Sequence, residues 1–185
     1  MGTPLAPHPV QYFCGVISAP AFDLNTIERR LAAAFGPVDF TSPVFPFDIT
    51  DFYEKEMGAG LKKIFYCFKE LRPPEDIAGV KLATNAMEQA DLQPGDGGRV
   101  VNLDPGYVEH AKMVLATTKN SGPRIYLHSG IYAESTLAFV SKSFRPWPWT
   151  YPDYKSAHYI EFFNELRERY TEKLRRGYGG SALFE

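Results

Sequence analysis

The sequence is that of one folded domain with a nearly balanced charge. It has 185 residues, of which 44% are hydrophobic and 23% charged, and its formal net charge is -2. A chain of this size builds a single core, and this composition is far from that of disordered proteins. The small negative charge argues against a general affinity for duplex nucleic acid or anionic lipid, which requires an excess of lysine and arginine.

Nothing in the sequence indicates a membrane segment. No apolar run approaches the roughly 20 residues of a spanning helix, and residues 1–9 lack the basic and apolar parts of a secretory signal. Cys14 and Cys67 lie in apolar runs typical of strands, where a reduced thiol packs as a small hydrophobic group. We expect a cytoplasmic protein with a tail over 1–10, a single globular domain over 11–176 and a flexible tail over 177–185.

The first half of the chain alternates β-rich apolar runs with stretches whose apolar residues recur every three or four positions. The first pattern predicts strands and the second predicts amphipathic helices. In chain order we expect a strand over 11–18, a helix over about 24–35, an edge strand or extended ribbon over 38–47, a short helix over 48–57, a strand over 61–71 and a long helix beginning near Ile77. Asp23 or Asn25 would cap the first helix.

The second half follows a turn at 93–98 (QPGDGG). Beyond it we expect a strand over 100–103, a helix from about Pro105 to Thr117, a hairpin of 124–127 with 131–140, a Pro/Trp segment over 145–152 and a closing helix whose core-facing stripe is Tyr159, Phe163, Leu166, Tyr170 and Leu174. These elements predict an α+β fold in which helices cover one mixed or mainly antiparallel sheet. A ferredoxin-like core is one topology that fits.

The string Asn102 to Tyr107 (NLDPGY) joins the strand at 100–103 to the helix expected after it. Asp104 followed by Pro105 is typical of a helix N-cap with proline at the first helical position, so capping is the simpler account. A helix N-terminus also attracts anions, and Gly106 would let a ligand approach closely. Asn102 and Tyr107 are therefore candidate ligand-binding residues.

Acidic residues recur at every third position before the middle of the chain. On a helix, Asp48, Asp51 and Glu54 would lie on one face, as a Mg²⁺ site requires. The simpler account is that they are solvated and favoured by the helix dipole. The sequence does not identify a cofactor, and Mg²⁺ is the candidate.

Polar residues also recur along the long helix that begins near Ile77. Lys81, Asn85 and Glu88 share one stripe of it, which is usually a solvated face.

Basic residues flank the predicted helix over 105–117. If Arg99, Lys112 and Lys119 converge, they form a cluster of the size that a phosphate group needs.

The hairpin brings a further charged pair together. With a turn over 128–130 and Gly130 in the left-handed conformation, Arg124 lies opposite Glu134, and Tyr126 lies opposite Tyr132. This face is either a surface ladder or the floor of a polar pocket.

The stock motifs of nucleotide and nucleophile sites are absent. The four histidines and two cysteines lack metal-ligand spacing, and the sequence contains no G-x-S-x-G elbow, CxxC, GxGxxG or phosphate-binding P-loop.

Several strings together resemble a prokaryotic family called domain of unknown function 4416. They are FDITDFYE at 47–54 with EMG at 56–58, KLATN at 81–85, VNLDPGY at 101–107, KMVLATTK at 112–119, GIYAE at 130–134 and PWTYPDY at 148–154. The resemblance covers about 11–175 and implies neither a fold nor an activity. Members are sometimes labelled GTP-binding, but the string TKNS at 118–121 lacks the Asp that would read guanine. The family has a His before the Arg of R-I-Y-L, where this chain has Pro123, so no proton transfer is expected there.

The leading hypothesis is binding or processing of a small phosphate-bearing ligand such as a nucleotide, with Mg²⁺ as a candidate cofactor. The candidate catalytic residues are Asp104, Glu134 and Asp153, with Asp48, Asp51 and Glu54 as candidate metal ligands. The candidate ligand-binding residues are Arg99, Asn102, Tyr107, Lys112, Lys119, Arg124, Tyr126, Tyr132, Trp149 and Tyr154. Whether the protein is an enzyme stays open at this point.

The alternative is a non-catalytic module that binds single-stranded RNA or a protein partner. Its stacking or anchor groups would be Tyr107, Tyr126, Tyr132, Trp147, Trp149 and Tyr154. A third account is that the Trp/Tyr/Pro segment only covers the core.

Overall fold

A computed structural model describes residues 2–90 and 98–178. In these residues it has nine strands and four α-helices: β1 (Gln11–Ser18), α1 (Leu24–Phe35), β2 (Val38–Thr41), β3 (Phe45–Pro46), α2 (Glu54–Met57), β4 (Lys62–Phe68), α3 (Ile77–Ala90), β5 (Val101–Val108), β6 (Lys112–Thr117), β7 (Ile125–Tyr126), β8 (Tyr132–Val140), β9 (Ser143–Pro146) and α4 (Ala157–Tyr178). The turn expected over 93–98 lies, apart from Gly98, outside the described residues.

The strands form one open antiparallel sheet in the order β2-β4-β1-β5-β6-β8-β7, with β3 beside β4 and β9 beside β8. The α+β class with a mainly antiparallel sheet is therefore confirmed. The path β1-α1-β2-β4-α3-β5 has the β-α-β-β-α-β connectivity of a ferredoxin-like unit. Strands β6 to β9 extend this unit on the β5 side.

Helices cover both faces of the sheet. Side chains alternate between the faces along a strand; Tyr12, Cys14 and Val16 of β1 accordingly pack against α1 and α3 on one side. Phe13 of β1 packs against α4 on the other side. The five apolar residues predicted to form the stripe of the closing helix are all buried. The protein thus has two apolar layers, one on each side of the sheet.

The expected helix over 105–117 is wrong. Its residues form β5 and β6, two antiparallel strands, so Asp104 is not a helix N-cap and no helix N-terminus exists there to attract an anion. The run Met113 to Ala116 is buried on both faces, and a short apolar run of that kind fits a helix or a buried strand equally well. Pro105 is tolerated because the ladder to β6 starts only at Gly106.

Two smaller differences concern the flanks of the sheet. The expected helix over 48–57 forms only its last turn, α2, and Asp48 and Asp51 lie in the irregular segment before it. The Pro/Trp segment starts as a short strand, β9, which pairs with β8. The edge ribbon expected over 38–47 is confirmed as β2 and β3, which pair with β4.

In the part of the chain that the structure covers, no helix combines the length and the apolar character that a bilayer crossing requires. Cys14 and Cys67 are both buried free thiols, and burial raises the pKa of each.

The sheet divides between β5 and β6. Strand β1 pairs with all of β5. Strand β6 pairs only with the last three residues of β5, from Gly106 to Val108. Gly106 lies at the point of division, where a Cβ atom would be 2.4 Å from the Val114 carbonyl oxygen and 2.7 Å from the Phe13 ring. The two strands approach here because the residue has no side chain.

Replacement of Gly106 by alanine tests this close approach. We expect Gly106→Ala to lower the free energy of unfolding by about 3 kcal/mol, because the added Cβ must displace backbone as well as a ring. Urea denaturation measures this change. Gly79→Ala is the matched control, since nothing lies within 4 Å of a Cβ there. In helix α3 that change should stabilise the protein by about 0.5–1 kcal/mol. Equal stability of Gly106→Ala and the wild type would contradict the account.

Candidate functional site

A cleft of about 740 Å³ lies where β5 and β6 separate. Its walls come from segment 47–53, helix α3, the start of β5, the end of β6 with the loop after it, and segment 151–154. Strands β4 and β8 contribute Lys63 and Glu134. The cleft is within the usual size range for a small-molecule site, roughly 300–1,000 Å³.

Helix α3 supplies the hydrogen bonds that β6 does not make to β5. Lys81 Nζ donates to the Leu103 carbonyl oxygen at 2.7 Å, and the Leu103 N–H donates to Glu88 Oε1 at 2.7 Å. Both side chains are buried, and their charged groups lie 3.9 Å apart. Two helix side chains therefore replace a strand partner and hold the edge of β5 open to the cleft.

Arg99 connects three elements at one end of the cleft. Its guanidinium donates to Glu56, to Glu88 Oε2 at 2.8 Å and to Asn102 Oδ1 at 3.0 Å. The amide of Asn102 then donates to Asp104 Oδ2 at 2.9 Å. The hydrogen bond from Arg99 lowers the pKa of Glu56, and the hydrogen bond to Glu56 raises the pKa of Arg99. Both groups are thus held in their charged forms.

Arg124 organises the other end of the cleft. Its Nε donates to Glu134 Oε2 at 2.8 Å, and its two terminal nitrogens donate to the Lys119 carbonyl oxygen and to the Tyr151 hydroxyl. Burial acts to lower the pKa of Arg124, but the contacts with Glu134 and Tyr151 together outweigh it and the net shift is upward. Within residues 2–90 and 98–178, Glu134 Oε1 is buried without a hydrogen-bond partner.

A buried ion pair forms the floor. Lys63 Nζ lies 2.6 Å from Asp153 Oδ2 and 4.4 Å from the centre of the Tyr154 ring, and its side chain is only 1% exposed. Burial raises the pKa of Tyr154, whose hydroxyl has no partner among the described residues. The pair ties segment 151–154 to β4.

Five cations and four carboxylates line the cleft. Lys63, Lys81, Arg99 and Arg124 each form an ion pair with a carboxylate. Lys119 is different: it pairs with no carboxylate in the described ranges, and its Nζ lies 4.9 Å from the centre of the Phe52 ring. Among the described residues, Lys119 is therefore the one lining cation that has no carboxylate partner.

The structure brings eight of the predicted site residues to the cleft: Arg99, Asn102, Asp104, Lys119, Arg124, Glu134, Asp153 and Tyr154. The Arg124–Glu134 pairing and the Tyr126–Tyr132 register are confirmed. So is the turn in which Gly130 has a positive φ.

Five predicted ligand-binding residues lie away from the cleft. Residues 112–117 form strand β6, and Lys112 lies at the end of this strand that is away from the cleft. There it pairs with Glu109. Tyr107 packs on Tyr12 in the core beside α1 and α3. Tyr126 packs on Tyr132, and Trp149 stacks on Trp147 and donates to the Ser135 carbonyl.

The predicted metal residues do not form a cluster. Asp48, Asp51 and Glu54 are exposed, and the helix that would have aligned them starts only at Glu54. Across residues 2–90 and 98–178, no group of three or more His, Cys, Asp or Glu side chains could hold a metal ion.

Sequence reasoning missed several cleft residues, notably Lys63, Lys81 and Glu88. The sequence predicts a solvated stripe of Lys81, Asn85 and Glu88, and this prediction is wrong for its two charged members, which are buried. Lys63 gives one signal in the sequence, a charge in strand register with the apolar residues Phe65 and Cys67.

A family model described as "Domain of unknown function (DUF4416)" matches residues 8–170. No curated protein and no solved structure matches the chain. The description of the family assigns no ligand or activity, so the chemistry of the cleft has to indicate one.

Removal of Lys81 tests its role in completing the edge of β5. We expect Lys81→Met to lower the free energy of unfolding by about 2–3 kcal/mol, because the buried Leu103 carbonyl loses its donor. Lys112→Met removes the same group from the exposed pair with Glu109 and should change stability by no more than about 0.5 kcal/mol. Chemical denaturation of the two variants gives the comparison. Equal stabilities would mean that the Lys81 bond contributes nothing.

Proposed function

The chain belongs to the DUF4416 family, and from the charges of its cleft we propose that it binds a small phosphate-bearing ligand such as a nucleotide. The observation that carries this proposal is Lys119, the lining cation that no carboxylate of the described residues neutralises. A phosphate group supplies the missing negative charge and accepts the hydrogen bonds that an ammonium donates.

The surroundings of Lys119 suit the rest of a nucleotide. Phe52, whose ring lies under the ammonium group, is 61% exposed, and Tyr151 is also exposed. Both line the cleft, and an exposed aromatic ring is a surface on which a flat base stacks. Arg124 lies beside the loop of Lys119 through its bond to the Lys119 carbonyl. Charge and stacking surface thus lie next to each other in the cleft.

Mg²⁺ would bind together with the phosphate-bearing ligand. Mg²⁺ in phosphate sites is commonly held by one or two carboxylates together with the phosphates and water. Asp104 is the carboxylate that supports such a role, since its side chain is 29% exposed whereas those of Glu134 and Asp153 are nearly buried. The predicted set of Asp48, Asp51 and Glu54 is not part of it.

Processing of the ligand would use the same carboxylates. Asp153 Oδ2 is held by Lys63 at 2.6 Å and its side chain is only 9% exposed, whereas Asp104 is 29% exposed and Glu134 Oε1 has no hydrogen-bond partner among the described residues. Asp104 and Glu134 are therefore the two predicted catalytic groups that best support a role with a substrate. Either could accept a proton from a hydroxyl or a water within hydrogen-bond reach.

A second candidate function is binding of single-stranded RNA or protein at an exposed aromatic surface. The rings of Trp147 and Trp149 stack at 5.1 Å, and both remain more than one-third exposed. Ile125 and Tyr126 are exposed on β7, at the end of the strand order. Grouped exposed apolar side chains are typical of partner surfaces. Tyr107 and Tyr154 contribute nothing here because they pack in the core.

Loss of the Lys119 charge tests the leading proposal. We expect AMP and ATP to raise the melting temperature of the wild type, since a ligand that binds only the folded state stabilises it. Lys119→Met should weaken their binding roughly tenfold by removing one charge-assisted hydrogen bond. Lys112→Met, a lysine outside the cleft, should bind as the wild type does. Absence of any shift across a panel of phosphate-bearing metabolites would overturn the proposal.

Trp149→Ala separates the second candidate from the first. If the aromatic surface binds RNA, the variant should lose affinity for single-stranded RNA, measured by fluorescence anisotropy at two salt concentrations, and keep its affinity for AMP. If the Trp segment only covers the core, the variant should unfold at lower temperature and the wild type should bind no RNA. Unaltered RNA binding by a stable variant would place the RNA surface elsewhere.

A further inference from the structure

We propose that the phosphate-bearing ligand also carries a hydroxyl or amino group near its phosphate, and that Glu134 Oε1 accepts a hydrogen bond from this group. The inference rests on the proposed function and narrows the ligand class from any small phosphate to a phosphate ester of a hydroxylated or aminated compound.

The position of Glu134 is fixed from both sides. Its backbone lies in the ladder between β6 and β8, opposite Leu115. Its Oε2 is bound by Arg124 Nε at 2.8 Å, and Arg124 is held in turn by the Lys119 carbonyl oxygen and the Tyr151 hydroxyl. The carboxylate cannot rotate without breaking this chain of bonds. The position of Oε1 is therefore fixed.

Oε1 lacks the partner that a buried carboxylate oxygen requires. Glu134 is 4% exposed and lines the cleft, and no donor of residues 2–90 or 98–178 reaches this atom. A buried acceptor without a hydrogen bond is costly, and such atoms are rare in folded proteins. An ionised carboxylate only accepts, so its partner must bring an O–H or N–H group.

The donor lies close to the phosphate. The guanidinium of Arg124 contacts both Glu134 and the backbone of Lys119, so one planar group joins the two residues. A phosphate at Lys119 and a donor at Oε1 thus belong to neighbouring parts of one ligand. The Tyr154 hydroxyl, which also lacks a partner among the described residues, lies in a different region of the structure, over Gly15 of β1. Strands β1 and β8 are three strand spacings apart, about 14 Å at the usual separation.

A pair of probe ligands isolates this bond. Glycerol 3-phosphate and propyl phosphate have the same charge and nearly the same shape, and only the first has hydroxyl groups beside the phosphate. Calorimetric titration of the wild type should give roughly tenfold or greater preference for glycerol 3-phosphate. This comparison needs no variant, so it stands even if changes at Glu134 impair folding.

Glu134→Gln reverses the hydrogen-bonding character of the unpartnered atom. The amide oxygen of the glutamine should turn to Arg124 Nε, which requires an acceptor, so an NH₂ group replaces Oε1 in the cleft. The preference of the variant for glycerol 3-phosphate should fall to a few-fold or less, because a hydroxyl can accept from the amide N–H but this neutral bond is weaker than a bond to a carboxylate. Glu109→Gln, which changes an acid outside the cleft paired with Lys112, should keep the wild-type preference.

The outcomes separate the two proposals. If the wild type binds both esters equally, or if Glu134→Gln keeps the full wild-type preference, Oε1 has no ligand donor and this inference fails while phosphate binding stands. If neither ester binds but AMP does, the inference also fails. If no phosphate compound binds at all, both the proposed function and this inference fail.

Discussion

The cleft depends on how the backbone of Leu103 is satisfied. An unpaired strand edge inside a sheet would normally attract the next strand, and the buried N–H and C=O groups of β5 need partners. Lys81 and Glu88 of helix α3 provide them, each at 2.7 Å. Because a helix supplies partners for Leu103, β6 can separate from β5 on the N-terminal side of Gly106.

Charge compensation extends from this point across the cleft. Glu88 accepts hydrogen bonds from the Arg99 guanidinium and from the Leu103 N–H. Arg99 also donates to Asn102, and Asn102 donates to Asp104. Removing one member of such a network leaves another buried charge uncompensated. The walls are therefore preorganised. Among the described residues, the Lys119 ammonium has no carboxylate partner and Glu134 Oε1 has no hydrogen-bond partner, and the proposed ligand would supply both.

The site is built from both the ferredoxin-like unit and its extension. Lys63, Asn102 and Asp104 come from the unit, on strands β4 and β5. Lys119 and the Arg124–Glu134 pair come from the added strands and their loops. The division between β5 and β6 is the boundary of the two parts, so a ligand there contacts both.

The sequence by itself determined the elements whose periodicity is local. The apolar run of β1, the capped α1 and the stripe of α4 were predicted with nearly the observed bounds, and the left-handed Gly130 fixed the hairpin register that pairs Arg124 with Glu134. Only the tertiary structure decided that residues 105–117 form two strands, since a short apolar run around Asp-Pro fits a capped helix as well. It also decided the site: Lys81 and Glu88 look like a solvated stripe until β5 passes beside them, because burial depends on residues distant in the chain.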